Sequence, residues 1–455
     1  MFRLTSTVRP YAWGSTTAIA TLLGREPSGD PEAELWLGAH PDSPSVIAPG
    51  EPAAGARLDD VIAEEPGATL GTAVAERFDG RLPFLMKVLA AGAPLSLQVH
   101  PTVEQAEAGY AAEDEAGVAR DASERNYRDR NHKPEMIYAL SDFAALSGFR
   151  DPAATAALLR EAISVLAGDG PGAGVGLLTE LADVLDADRP SSDTDASETE
   201  SSGTSSSGAG ASGTESSGTD EDPRLRQAFA LVFDRREDAA LSAEALAGLA
   251  PGSVSGVVSP ATAISIATAA DLQERYPGDP GVIVSLLLNR VSLLPGEALY
   301  LPAGNVHAYL SGLGIEVMAT SDNVLRGGLT GKHVDVPELL KTVRFAALGV
   351  PDLPAMETEW GQRVFAPPFD EFALQVLDFR GGTGDGSTSD DVPVLQHGPV
   401  LVLVTDGALV LDSPNGSLRV ARGDAVFIPA AEAPVMARAA EPDTRAFAAT
   451  VAREF

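Results

Sequence analysis

Residues 295–303 read PGEALYLPA and residues 422–430 read RGDAVFIPA. Both copies set a glycine and an acid before a short aromatic and aliphatic run that ends on Pro-Ala. A Gly-acid turn leading into such a run is a turn-into-strand signal, and its recurrence argues for two copies of one β unit. Further short β-rich runs, at Pro94 to His100, Met136 to Leu140, Val282 to Leu288 and Val400 to Val404, are separated by Gly, Pro and Asp turns. This texture predicts a β-sandwich or barrel.

The two copies differ in the residues after the motif. The first continues into Gly304, Asn305, Val306 and His307, whereas Pro434 occupies the place of His307 in the second. Only the first copy can offer an imidazole there. The second lies among hairpin signals such as DSPNG at 412–416, between an apolar run and an alternating one. The repeated motif resembles the second motif of cupin jelly rolls. That resemblance implies a mainly β chain with a catalytic cupin, discontinuous over 1–150 and 263–350, and a C-terminal, non-catalytic jelly-roll domain over 364–455.

Between the cupin segments the texture is helical. Ala154 to Ala167 is rich in Ala and Leu, and Leu225, Phe229, Val232 and Phe233 fall on one face of a helix. We therefore expect an α-helical insertion over 151–262. Within it, residues 187–222 hold almost nothing apolar, which predicts a disordered acidic loop. Its nine acidic residues against one arginine do not account for the net charge of −33, so the folded body is acidic as well.

That charge gives the chain no general electrostatic reason to hold nucleic acid or an anionic membrane. The absence of cysteine excludes disulfides, a thiolate nucleophile, iron–sulfur clusters and thiolate zinc sites, so any metal must be held by His, carboxylate or amide oxygen. Residues 1–15 lack the apolar core of a signal peptide, and no apolar run reaches the roughly 18 residues of a membrane span. The expectation is a cytoplasmic protein, with no nucleic-acid or membrane partner, and a monomer. Lysine occurs only at 87, 133, 332 and 341.

Several residues can carry chemistry. Gln98 and His100 are two apart and so share one face of a strand, half of a metal site. The plainer reading is a pair of polar residues on an amphipathic strand. Residues 131–138 (NHKPEMIY) set His132, Lys133 and Glu135 before an apolar strand, and a solvated turn is the plainer reading there. Lys87 sits in an otherwise apolar run (PFLMKVL, 83–89), where a cation is costly without a partner or a role. Glu316 and Arg326 are isolated charges amid apolar and small residues, and the glycines after Arg326 let backbone approach a ligand closely. For Trp13, Trp36 and His40 structural packing is the first reading.

In this order QVHP (98–101), NHKPE (131–135), PAGNVHAYLSG (302–312) and SDNVLRGGLT (321–330) resemble the type I phosphomannose isomerases. The early segments YAWGS (11–15) and ELWLGAH (34–40) are similar too, so the likeness spans about residues 8 to 345. It implies one Zn2+ per chain, with Gln98, His100, Glu135 and His307 as ligands. It also implies catalytic roles among Arg326, Lys133, Glu316, Lys87 and His132, and substrate contacts from Trp13, Ser96, Tyr309, Lys87 and Arg326. Gly331 departs from the family's Leu-Thr-Pro-Lys motif, in which proline is expected at that place.

The implied reaction interconverts D-mannose 6-phosphate and D-fructose 6-phosphate through a cis-enediol, feeding mannose and GDP-mannose metabolism. It needs a Lewis acid, a proton shuttle and a grip on the phosphate dianion. Which of Glu316, Lys133, Lys87 and His132 moves the proton is open at this point. Two other readings use the same residues. Two His and one carboxylate can hold iron(II) in an oxygenase, and a silent sugar-binding cupin would need no turnover at all.

Overall fold

The computed structural model describes residues 1–167, 174–187, 221–249, 254, 256–380 and 391–453. The acidic segment expected over 187–222 lies almost wholly outside them. The chain divides into two units, one of Met1–Gly148, Leu288–Val343 and Gly349–Phe455, the other of Phe149–Leu287 and Arg344–Leu348.

In the first unit the described residues form sheets of ten, eight and four strands, all paired antiparallel. The ten-stranded sheet is organised by the long strand His307–Ala319, which pairs with Phe84–Ala91 on one side and Glu135–Ala139 on the other. All eight residues of Phe84–Ala91 are buried, which explains its continuous apolar run. The eight-stranded sheet takes strands from both ends of the chain, because Phe2–Thr5 pairs with Ala425–Ile428. The hairpin signalled at 412–416 joins Ala408–Ser413 to Gly416–Ala421. One apolar core, including Leu37, Phe84, Met86 and Val317 with Phe365, Leu401, Phe427 and Phe447, is shared by the ten- and eight-stranded sheets.

The repeated motif has a physical basis. In each copy the glycine adopts a left-handed conformation, with φ of 101° at Gly296 and 89° at Gly423. The acid then closes the turn: Glu297 accepts from the Leu294 N–H at 2.8 Å, and Asp424 accepts from the Ala421 N–H at 2.9 Å. The next four residues form the strands Ala298–Leu301 and Ala425–Ile428. An added Cβ at Gly423 would also lie 2.9 Å from the Leu23 carbonyl oxygen. Gly423→Ala should therefore cost about 1–2 kcal/mol of stability or somewhat more. The check is a lower urea midpoint at unchanged slope, and an unmoved midpoint would contradict the strain argument.

The second unit is helical. Helices Pro152–Leu166, Pro223–Asp234 and Pro260–Arg275 each begin with proline after a capping residue, and Asp151, Asp222 and Ser259 accept from the N–H groups of Ala154, Arg224 and Thr262. The stripe of Leu225, Phe229, Val232 and Phe233 is the buried face of its helix. Helices continue to Leu287, beyond residue 262. The run Val282 to Leu288, expected as a strand, is mostly the fully buried helix Gly281–Leu287. A short apolar run carries no periodicity that separates the two states, and the turn at Asp279, which accepts the Gly281 N–H, starts the helix. No helix among the described residues is long and apolar enough to cross a membrane.

Candidate active site

Strand register assembles the site in two rows on the first unit's long sheet. Trp36, Lys87, Glu316 and Ile137 stand directly opposite one another across four strands. Opposed residues share a face, as do residues two apart, so Glu34 and Glu135 flank that row on the same face. His307, Gln98 and Arg326 form a second row across three strands.

Glu135 lies between two imidazoles, with Oε1 3.4 Å from His100 Nε2 and Oε2 3.3 Å from His307 Nε2. All three side chains are at most 4% exposed. Each ring turns its Nδ1 to a backbone carbonyl, at 2.7 Å to Asn323 for His100 and 3.0 Å to Asn305 for His307. Those contacts assign the proton to Nδ1 and leave both Nε2 lone pairs facing a carboxylate. The His100 Nε2 is wholly buried and makes no hydrogen bond. Electron-rich atoms converging in a dry site fit a divalent cation, each imidazole being oriented from behind by a carbonyl. Burial first, and then the Lys133 ammonium, push His100 down to about 4, so it is neutral near pH 7 as a metal ligand must be. Burial works to raise the Glu135 carboxyl, but it lies well below the usual carboxylate range, the Lys133 ammonium 2.7 Å from Oε1 being the first cause of the lowering. A small cavity is lined by Gln98 together with Glu135, His307 and Lys133.

Beside this cluster, Lys87 Nζ donates to Glu316 Oε2 at 2.9 Å and stands 3.7 Å from Glu34 Oε1. The Trp36 indole donates to the other Glu34 oxygen at 2.7 Å, and its ring lies 5.2 Å from the Lys87 ammonium. Burial disfavours charge on Lys87, but Glu316, Glu34 and Glu135 outweigh it and raise Lys87 above the usual ammonium range. Glu316 is raised as well, by burial first and by the carboxylates of Glu135 and Glu34, against the lowering effect of Lys87. Three buried carboxylates here share two ammonium groups. Tyr309, whose hydroxyl is raised by burial and then by Glu316, lines the same cavity.

A third group is cationic. Burial lowers Arg326, and Arg128 lowers it further; Lys332 is lowered by burial and by both arginines. Among the described residues, no carboxylate forms an ion pair with any of these three side chains.

The remaining expected residues stand apart. His132 Nε2 lies 2.6 Å from Glu371 Oε1 instead of lining the cavity. Trp13 stacks on Tyr11 and packs against an apolar cluster that includes Leu89 and Leu95, and neither it nor Ser96 lines the cavity. Trp36, at the end of the Lys87 row, is buried and does not line the cavity, and His40 pairs with Asp322 at 3.4 Å. Sequence reasoning missed Glu34, Arg128 and Asn323. Only Glu34 left a signal, as an acid two residues before Trp36 in a buried strand. A larger open hollow beside Thr179, Asp183 and Arg224 in the helical unit carries no comparable set.

Residues 1–152 match the family profile described as phosphomannose isomerase type I, catalytic domain. Over 439 residues the chain is 36% identical to mannose-6-phosphate isomerase of Escherichia coli (strain K12), covering 96% of each. It is 30% identical over 449 residues to the human mannose-6-phosphate isomerase, covering 95% of this chain and 94% of that one. The crystal structure of mannose 6-phosphate isomerase with zinc bound superposes with a TM-score of 0.77 at 33% identity, covering 100% of this chain and 99% of that one.

Proposed function

From the chain's place in the type I phosphomannose isomerase family, to which it belongs, we infer that it is a zinc-dependent isomerase interconverting D-mannose 6-phosphate and D-fructose 6-phosphate. The mainly β architecture is that family's cupin fold. The observation that carries the reading is the single sheet face on which His100, Glu135 and His307 stand next to the buried Lys87–Glu316 pair.

His100, Glu135 and His307, with Gln98, would hold the zinc, which when bound supplies a Lewis acid for the sugar's carbonyl and hydroxyl oxygens. Lys87, held as an ammonium by its carboxylates, is a hydrogen-bond donor to a sugar oxygen and not a base. Glu316, raised toward neutrality, is the proton carrier. As a carboxylate it takes the proton from C2 of the aldose and returns it to C1, while the hydroxyl proton on O2 passes to O1. Atoms and charge balance, and no redox partner is needed. A second ammonium, Lys133, stands 2.7 Å from Glu135 and adds positive charge where an enediolate would form. His132, engaged with Glu371, has no part in the transfer.

Arg326, Arg128 and Lys332 form the phosphate grip. Cations left without carboxylate partners in so acidic a chain are poised for an anionic ligand. Arg326→Ala should raise KM for the sugar phosphate by roughly 10- to 100-fold, from loss of a charge-assisted contact worth about 1.5–3 kcal/mol. Mannose lacking the phosphate should be turned over equally poorly by both proteins. An unchanged KM would remove Arg326 from phosphate binding. The reading as a whole is tested by a coupled assay from mannose 6-phosphate to fructose 6-phosphate on purified, zinc-loaded protein, and no turnover would sink it.

A further inference from the structure

Asn323 does not face the cavity, yet three functional segments meet on it. It is completely buried. A neutral amide has two N–H donors and an oxygen with two lone pairs, and here all are used. Its Oδ1 accepts from the backbone N–H groups of Arg128 at 2.7 Å and Asp129 at 3.2 Å. Its Nδ2 donates to the carbonyls of Asp129 at 2.9 Å and Asn131 at 2.8 Å. The segment 128–131 is therefore clasped at four backbone groups by one side chain. That segment carries Arg128 and runs directly into Lys133 and Glu135.

The backbone of Asn323 reaches the other two segments. Its carbonyl accepts the His100 Nδ1–H at 2.7 Å, the contact that turns the bare Nε2 toward Glu135. Two residues later the strand Leu325–Gly328 begins, pairing with Leu97–Val99 and placing Arg326 opposite Gln98. Asp129 closes the clasp from the other side, accepting from Ser321 Oγ at 2.9 Å and the Asp322 N–H at 2.7 Å.

We propose that Asn323 is a positioning residue that fixes the metal ligand His100 and the phosphate cations Arg128 and Arg326 in one frame, without touching the substrate. Aspartate cannot replace it, since a carboxylate loses both donors and adds an anion beside Asp129. Alanine leaves four backbone groups without their partner and frees the segment 128–131. Metal affinity and phosphate binding should then weaken together, although neither group's own side chain has changed. The proposal rests on the isomerase reading above for its substrate arm but not for its metal arm.

The test measures zinc affinity of metal-free protein by competition with a chromophoric chelator, and kcat and KM at saturating zinc, for wild type, Asn323→Ala, Asn323→Asp and Thr444→Ala. Thr444 is equally buried, in the C-terminal part of the chain, and bonds the Ala408 and Glu441 carbonyls. It is the control for a merely structural loss. The expected result is zinc bound about 10- to 100-fold more weakly by both Asn323 variants, the range for loss of a group that orients a ligand, with KM rising more than kcat falls. Thr444→Ala should lower the melting temperature and leave zinc affinity and KM as they were. If the Asn323 variants lose melting temperature alone, as the control does, the proposal is overturned. If Asn323→Ala does not fold, Asn323→Ser carries the same comparison. A wild-type protein that binds zinc but does not isomerise would refute the proposed function while leaving the metal arm readable.

Discussion

Glu135→Gln and His307→Ala should each strip the protein of zinc and of isomerase activity together. The Glu135 carboxylate sits 3.4 and 3.3 Å from two imidazole nitrogens. No other described carboxylate groups with both His100 and His307, so none replaces it. Glutamine keeps the shape and removes the negative charge that a divalent cation requires in a dry site. His307→Ala removes a ligand atom outright.

Loss of a Lewis acid worth several kcal/mol of transition-state stabilisation corresponds to about a thousandfold or more in turnover. Stability provides a readout independent of activity. Zinc that binds only the folded state adds about 4 kcal/mol at a thousandfold excess over its dissociation constant. Added zinc should therefore raise the melting temperature of the wild type and leave that of either variant unmoved. Full activity in variant protein shown to contain no zinc would refute this assignment of the site.

The parts of the fold visible in the sequence are those set by local pattern. The two Gly-acid turns could be read because a positive φ at Gly296 and Gly423 and the closing carboxylate are local requirements. The helix stripe at Leu225, Phe229, Val232 and Phe233 could be read because its period is local too. The pairing of Phe2–Thr5 with Ala425–Ile428 had no such signal, since it joins the two ends of the chain.

The same division runs through the site. Lys87 drew notice as the one cation in an apolar strand, but its partners Glu34 and Glu316 come from two other strands. Only register sets them side by side. Glu34 was hidden behind Trp36, whose apolar surroundings suggested packing, although the indole holds the Glu34 carboxylate in place. His132 lies in the NHKPE motif, yet its imidazole is engaged by Glu371, 239 residues away. Asn323 and Asp129 gave no signal at all, because an amide's buried hydrogen bonds leave no trace in composition.

Lys87→Met should cost both stability and turnover, and a second substitution separates the two. In the native site the Lys87 ammonium neutralises Glu316 at 2.9 Å and faces Glu34 at 3.7 Å, all of them buried. Removing one partner of a buried pair leaves an uncompensated charge, at a cost of roughly 3–5 kcal/mol. Turnover should fall by about 10²–10⁴, the range for a lost proton-donating contact in the transition state. Glu316 is already raised by burial and by neighbouring carboxylates, and without Lys87 it rises further. The folded variant then holds a proton that the unfolded chain releases above about pH 4–5. Its stability deficit must therefore grow as pH rises from there through the folded pKa, and be larger near pH 8 than near pH 5.5. Lys87→Met with Glu316→Gln removes both charges, so it should recover much of the lost stability and flatten that pH dependence while recovering no turnover. Urea unfolding of the three proteins at the two pH values, beside their initial rates, decides the matter. A double variant no more stable than the single would show that the pair is not the source of the cost, and wild-type turnover in Lys87→Met would take Lys87 out of the reaction.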